Sequence, residues 1–273
     1  MKEASSYWTA WSPYWSYQED FFLDLDAINK LAVFITNPVL IIGAGQGLLV
    51  EQLQKNNFTV DGIDLNPQMI SYAKERRGLN LIQANAGDMP FADDSYKTSI
   101  IATGVVDFID DEEQIKLIIN EALRVTETSG RVFVAFYKYH PRVDALLKST
   151  GIITENRSLR FKKLAEMTML SFENPLRFVR AVQNEANVGF LSSIFILMKA
   201  QMLLPKKEKR ESKKLSVLWK RAKRELDNPQ SLIDCLPELV PYRNREEIKN
   251  LFKKLDFPIK NMYFYDSCTI VQV

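Results

Sequence analysis

One histidine and two cysteines are all the imidazole and thiolate that this chain of 273 residues offers to a zinc ion. Cys235 and Cys268 stand far apart and match no metal-ligand or redox spacing, so no metal site is expected. Long apolar runs are also scarce. None reaches the roughly 18 to 20 residues needed to span a bilayer, and the nearest, Val188 to Leu204, is broken by Lys199 and Gln201. The amino terminus, MKEASSYWTAWSPYW, has neither the basic start nor the apolar core of a secretory signal. The expected address is therefore the reducing cytoplasm.

What is present is ordinary in amount and uneven in placement. A hydrophobic content of 46% suits one large globular domain, or one domain with a cap. The net charge of +2 conceals a division along the chain. Residues 1–150 carry 13 Lys/Arg against 20 Asp/Glu, whereas residues 151–240 carry 17 against 10. An acidic first half joined to a basic segment points to regions with different work to do.

Apolar residues at helical spacing in YQEDFFLDLDAINKLAVFI predict an amphipathic helix over 17–35. Strands and helices then alternate. Strands are expected at 39–43, 59–64, 79–83, 98–103 and 130–137, and helices at 47–56, 67–76 and 112–125. Such alternation with short loops implies a mostly parallel sheet covered on both faces. From Pro141 the texture becomes helical without strands for about a hundred residues. Around Asn244 the alternation resumes with the helix NREEIKNLFKKLDF, for which Asn244 is the expected N-cap. IKNMYFYD and CTIVQV follow as a hairpin, so at least one closing strand runs antiparallel. The segments read as an aromatic N-terminal lid (1–36), a cofactor-binding core (37–140), a helical insert (141–242) and a closing helix and hairpin (243–273).

VLIIGAGQGLLVEQL carries three alternating glycines between a strand and a helix, which lets backbone approach a ligand at a helix N-terminus. Such a turn can hold the pyrophosphate of a dinucleotide or the amino acid end of S-adenosylmethionine. The dinucleotide fingerprint G-x-G-x-x-G places its third glycine where this chain has Leu48. Asp64, at the end of the second strand, suits a carboxylate that accepts from ribose hydroxyls in either case. Its plainer role is to cap the helix that follows.

Downstream, GDMPF, FADDSYKTSII, EALRVTETSGRVFVAFY and the closing hairpin occur in an order that resembles the class I S-adenosylmethionine-dependent methyltransferases. The resemblance covers roughly residues 35–140 and 243–273. It implies a Rossmann-like α/β fold with an antiparallel last strand, the cofactor S-adenosylmethionine and the product S-adenosylhomocysteine. It also implies that Gly43, Ala44, Gly45 and Gly47 line the methionine moiety and that Asp64 binds the ribose. By the same resemblance Leu65 and Met69 flank the adenine, Asp88 and Met89 hold the base, and Thr103 and Gly104 lie near the sulfonium. The family commonly has an acid two residues before the first glycine; here it is Ile41. TETSG replaces its usual turn, a change expected to be harmless.

In open α/β sheets ligands sit beyond the carboxyl ends of the strands. Asp107, Tyr137 and His140 fall there and are the candidates for acid–base work, His140 also reading plainly as a surface histidine before Pro141. Six aromatic residues crowd positions 7–17. They suit a lid over the sulfonium, with Tyr14 and Tyr17 as contributors, or simple packing of the first helix or a subunit interface. In the insert, an apolar helix precedes ten Lys/Arg and two Asp/Glu between Pro205 and Arg224. A helical cap is the first reading of 188–224, peripheral contact with an anionic membrane the second, and nucleic acid the least favoured. The expected acceptor is a small or lipid-like molecule of the quinone-precursor kind. The alternative is a non-catalytic scaffold that docks through its basic helices.

Overall fold

A computed structural model of the chain describes residues 8–13, 29–137, 152–154, 158–160, 162–167, 206–265 and 268–273, together with positions 176, 179, 180 and 183. The chain divides into two compact units, Met1–Lys138 with Arg243–Val273, and Tyr139–Tyr242.

The first unit is built on a seven-stranded sheet. Its strands are β1 (Val39–Ile42), β2 (Val60–Asp64), β3 (Ile82–Gln83), β4 (Tyr96–Ile101), β5 (Thr126–Tyr137), β8 (Asn261–Phe264) and β9 (Cys268–Gln272), in the spatial order β3-β2-β1-β4-β5-β9-β8. The strands β3 to β5 of that order run parallel. β9 pairs antiparallel with both β5 and β8. The fold is thus the Rossmann-like class I sheet with its reversed last strand.

The uninterrupted apolar runs of β1 and of the second half of β5 follow from burial on both faces, since side chains alternate with a period of two. Leu40, Ile42, Val132, Val134 and Phe136 enter one core with α3 (Glu112–Arg124) and α6 (Arg245–Lys254). Val39, Ile41, Phe133 and Ala135 enter the other with α1 (Leu48–Lys55), Leu31, Ile35 and Ala73 of α2 (Pro67–Arg77). Each fully buried side chain of this size contributes roughly 1.5–3 kcal/mol.

Helix starts are specified locally. Asn66 caps α2 through Gln68 N (2.9 Å), with Pro67 in the first turn. Asp111 caps α3 through Glu113 N (3.0 Å). Asn244 and Glu247 form a reciprocal capping box at α6, with bonds of 2.8, 3.2 and 3.0 Å.

Two expectations are corrected. The turn expected at TETSG belongs to β5, which starts at Thr126; the register shifts between Tyr96 and Thr98, so the extra residues are taken up as an irregularity. Thr126 Oγ1 lies 2.6 Å from Ser99 Oγ and also donates to Ala122 O, bonds between elements that local periodicity does not report. The second unit also contains strands. β6 (Ser158–Leu159) pairs antiparallel with β7 (Val240–Pro241). Two-residue strands so far apart in sequence carry no alternation that a pattern could register. The rest of this unit includes helical residues 162–167, α4 (Lys206–Glu225) and α5 (Ser231–Asp234). Leu218, Trp219 and Ala222 of α4 are buried. Among the described residues no helix is long and apolar enough to cross a membrane. Most of the helix expected at 17–35 and the turn at 266–267 lie outside the described residues.

Asn244→Ala removes the one oxygen that accepts two N–H groups at the start of α6 and should cost about 1 kcal/mol. Thermal unfolding should show a lowered Tm, and hydrogen exchange should quicken in the first turn of α6; unchanged exchange there would remove the capping box from the account.

Candidate active site

The carboxyl ends of β1, β2, β4 and β5 meet at one edge of the sheet, and four local constructions shape it. The first is the glycine loop. Gly43, Gly45 and Gly47 all have positive φ (76°, 55° and 80°), a region L side chains rarely adopt. A Cβ on Gly43 would stand 2.1 Å from Val105 Cγ2, and one on Gly47 2.5 Å from Leu79 Cδ1. A Cβ on Gly45 would meet nothing within 4 Å, so this glycine faces open space. The loop therefore packs closely on the protein at its ends and leaves its middle open to a ligand. Gly43 N and Ala44 N donate to Ile63 O (3.0 and 2.8 Å).

The second is Asp64, at the end of β2. Its Oδ2 accepts Gly45 N–H at 2.7 Å and its Oδ1 accepts Asn66 N–H at 2.8 Å. Burial pushes its carboxyl above the ordinary range, opposed by these N–H donors. The Leu65 N–H also bonds this carboxyl, and since a carboxylate offers about four acceptor sites, some capacity remains. The helix-cap role is discharged by Asn66, leaving Asp64 to join the glycine loop to the turn after β2. Leu65 next to it is 42% exposed, whereas Met69 is buried in the first turn of α2. Arg77 braces the loop from below: its Nε donates to Gln46 O (3.1 Å) and its Nη1 pairs with Glu51.

The third is the loop carrying Asp88 and Met89. Met89 N donates to Glu121 Oε2 (3.0 Å), while Arg124 donates to Met89 O (3.2 Å), Phe91 O (2.8 Å) and Asp93 (2.7 Å). The Arg124 hydrogen bond holds the Glu121 carboxyl below its usual range. The last turn of α3 thereby fastens this loop. Asp88 is exposed, and the Met89 side chain lies buried in the core with Ile63 and Ile118.

The fourth lies after β4. Thr103 is partly exposed, and Gly104 has φ 87°. A Cβ on Gly104 would stand 3.1 Å from Tyr137 Oη and 3.3 Å from Trp8 Cζ2. Trp8, Phe108 and Tyr137 stand edge to face in a row, with centroids 5.8 and 6.3 Å apart. Asp107 is buried, accepting Gly104 N–H (2.7 Å) and Tyr137 N–H (2.9 Å). Burial pushes its carboxyl up to about 6, against the lowering effect of the two N–H donors and of Arg243. Arg243 donates to Val106 O (2.7 Å), Asp107 O (3.1 Å) and Ile109 O (2.5 Å).

Residues 8–13 lie against this edge. Gln46 Nε2 donates to Ser12 O (3.3 Å) and Asn66 Nδ2 to Thr9 Oγ1 (3.2 Å). The aromatic residues expected to contribute here, Tyr14 and Tyr17, lie outside the described residues, as does His140. Trp8, another of the six N-terminal aromatic residues, stands over Gly104. Arg243 was not foreseen; an arginine directly before a helix cap was its only local sign. Ile41 is fully buried in the core with Leu53 and Ala73, so the strand end contributes no acid. Among the described residues no group of three or more His, Cys, Asp or Glu side chains could hold a metal ion.

The open face at Gly45, the remaining acceptor capacity of Asp64 and the exposed Leu65 fit a nucleoside-bearing ligand whose polar end lies along the glycine loop.

Residues 39–130 match the model of a methyltransferase domain. A demethylmenaquinone methyltransferase from Paenarthrobacter aurescens is 29% identical over 117 residues, which cover 42% of this chain and 44% of that protein. The chain spans about half the length of the curated relatives it matches. Among solved structures, a SAM-dependent methyltransferase from Methanosarcina mazei superposes with a TM-score of 0.50 at 14% identity, over 89% of this chain and 94% of that one. A protein from Rhodobacter sphaeroides named for Zn-dependent alcohol dehydrogenases gives 0.56 at 11% identity, over 99% and 96%. At these identities the likeness is one of fold.

Two measurements test the site. Gly43→Ala drives a methyl group into Val105 at a left-handed position, so thermal unfolding should show a destabilisation of at least about 1–3 kcal/mol; an unchanged Tm would refute the packing described. Asp107 gives a pH dependence of definite sign. Its folded pKa of about 6 lies above the ordinary value of 3.8. Its protonated form therefore contributes stability that is fully present below about pH 4 and lost as pH rises through about 6, on the order of 3 kcal/mol. Relative to Asp107→Asn, which is neutral throughout, the native protein should lose stability across that window; parallel curves would refute it.

Proposed function

We propose, for a chain that carries a class I S-adenosylmethionine-dependent methyltransferase domain, that it transfers the methyl group of S-adenosylmethionine to a small, lipophilic acceptor. The observation that carries this reading is the glycine loop pinned by Asp64, with Gly45 open to solvent and Leu65 exposed beside it. The reversed last strand separates the sheet from that expected of a dinucleotide enzyme.

S-adenosylmethionine brings a methyl group already activated by a sulfonium, so the protein's own task is to hold, align and exclude water. Gly43, Ala44, Gly45 and Gly47 present backbone to the methionine end. Asp64 accepts from the ribose hydroxyls on the acceptor sites its N–H partners leave. Leu65 offers an apolar surface to the base, with Asp88 as the acceptor for its amino group. Met69 and Met89 act from behind, as buried packing under these positions. Thr103 and Gly104 line the methyl end, where Trp8 and Tyr137 close over the backbone and shield it from water. The rings also suit a cation, since aromatic faces attract positive charge.

The acceptor class rests on two supports. The site's described walls near Gly104 are aromatic, and the relatives that share the domain include a demethylmenaquinone methyltransferase. His140 is proposed as a base for acceptors that must lose a proton, with the Tyr137 hydroxyl as a hydrogen-bonding partner to the acceptor.

Calorimetry with S-adenosylhomocysteine should show one-site binding. Asp64→Ala should weaken it by about ten- to a hundredfold, the expected cost of losing a partly buried charged acceptor. No binding to the native protein, or an unchanged affinity in the variant, would overturn the assignment.

A further inference from the structure

Asp107 sits among the positions first considered for acid–base chemistry, yet its geometry describes a different task. Both its oxygens are engaged by backbone N–H groups from two elements, Gly104 in the loop after β4 and Tyr137 at the end of β5. The carbonyls of the same loop, at 106, 107 and 109, are gathered by the Arg243 guanidinium. Three loop carbonyls and the N–H groups of Gly104 and Tyr137 are thus bound by one carboxylate and one cation. We propose that Asp107 and Arg243 form a positioning brace, which sets the backbone at Gly104 and the place of Tyr137 for the bound cofactor. This rests on the methyltransferase reading only for the identity of the ligand.

The brace depends on charge. An ionised carboxylate accepts on both oxygens, whereas a protonated one turns an O–H toward one of its two N–H partners and loses that bond. The burial that raises the Asp107 carboxyl brings this change to about pH 6. The charged groups facing the pair are Arg243 toward Asp107, and Asp110 and Glu112 toward Arg243. Neutralisation should therefore loosen the tie between Gly104 and Tyr137, whose Oη stands over Gly104 together with Trp8. Arg243 is also the first residue after the second unit, so the chain leaving that unit passes directly into the brace.

Nuclear magnetic resonance of the full chain provides a test independent of catalysis. The amide signals of Gly104 and Tyr137 should titrate together with a midpoint near pH 6, and Asp107→Asn should abolish that titration. Separate titrations, or none, would overturn the brace. Calorimetry with S-adenosylhomocysteine from about pH 8 to about pH 5 should show the native affinity falling about tenfold as one such bond is lost. Asp107→Asn should bind weakly with a flat profile. Arg243→Lys, which keeps the charge but lacks the planar fork, should weaken binding without moving the midpoint far. Native-like affinity and amide positions in both variants would reject the proposal. Failure of the native protein to bind at any pH would instead reject the methyltransferase reading, while the amide titration still decides the brace.

Discussion

Where a parallel sheet ends, the strands leave backbone N–H groups that no neighbouring strand can take up, and here they are taken up by two carboxyl groups, Asp107 buried and Asp64 half-buried. Asp64 joins the glycine loop after β1 to the turn after β2 through Gly45 and Asn66. Asp107 joins the loop after β4 to the end of β5 through Gly104 and Tyr137. Burial raises both carboxyls; the N–H donors oppose the rise, and for Asp107 so does Arg243. The open edge of the sheet is therefore shaped by two carboxyl groups that together accept these four short N–H bonds. Loops that would otherwise have several conformations are given one, which is what a ligand pocket built from backbone requires.

The remaining supports act on these loops from outside. Arg77 holds the glycine loop at Gln46, and Arg124 with Glu121 holds the loop at Met89. Arg243 holds the loop after β4. In each case an arginine collects backbone carbonyls that have left regular structure, a task suited to its planar set of donors. Side-chain amides of Gln46 and Asn66 connect the same loops to residues 9 and 12, so the N-terminal segment rests on polar contacts from two of them as well as on the Trp8 ring. Stability and site geometry thus share residues: substitutions at Asp107 or Gly43 should alter both.

Elements whose cause is local were legible in the sequence. Val39–Ile42 and the end of β5 are apolar without interruption because both faces are covered, and Asn66, Asp111 and Asn244 announce the helices that follow them. The reversed closing strand was legible too, because two strands joined by so short a turn must run antiparallel. The start of β5 at Thr126 was not, since polar TETSG does not resemble a strand and is held by Tyr96, Ser99 and Ala122. Nor was β6 with β7, whose four residues find each other only across the second unit.

At the site the division is the same. The positive-φ glycines and Asp64 stand in a motif whose spacing can be read along the chain, and so they were named from it. Trp8 over Gly104, and Arg243 on the carbonyls of residues more than a hundred positions earlier, could not be named, because nothing adjacent in sequence specifies their partners. Asp107 was singled out by its place after a strand, but its bonds to Gly104 and Tyr137 could not be read there. By itself the sequence determined the alternation of elements, their caps and the conformation of the glycine loop, all of which depend on residues a few positions apart. Tertiary structure decided which buried charges face which backbone groups, because that depends on strand order and on the loops it brings together.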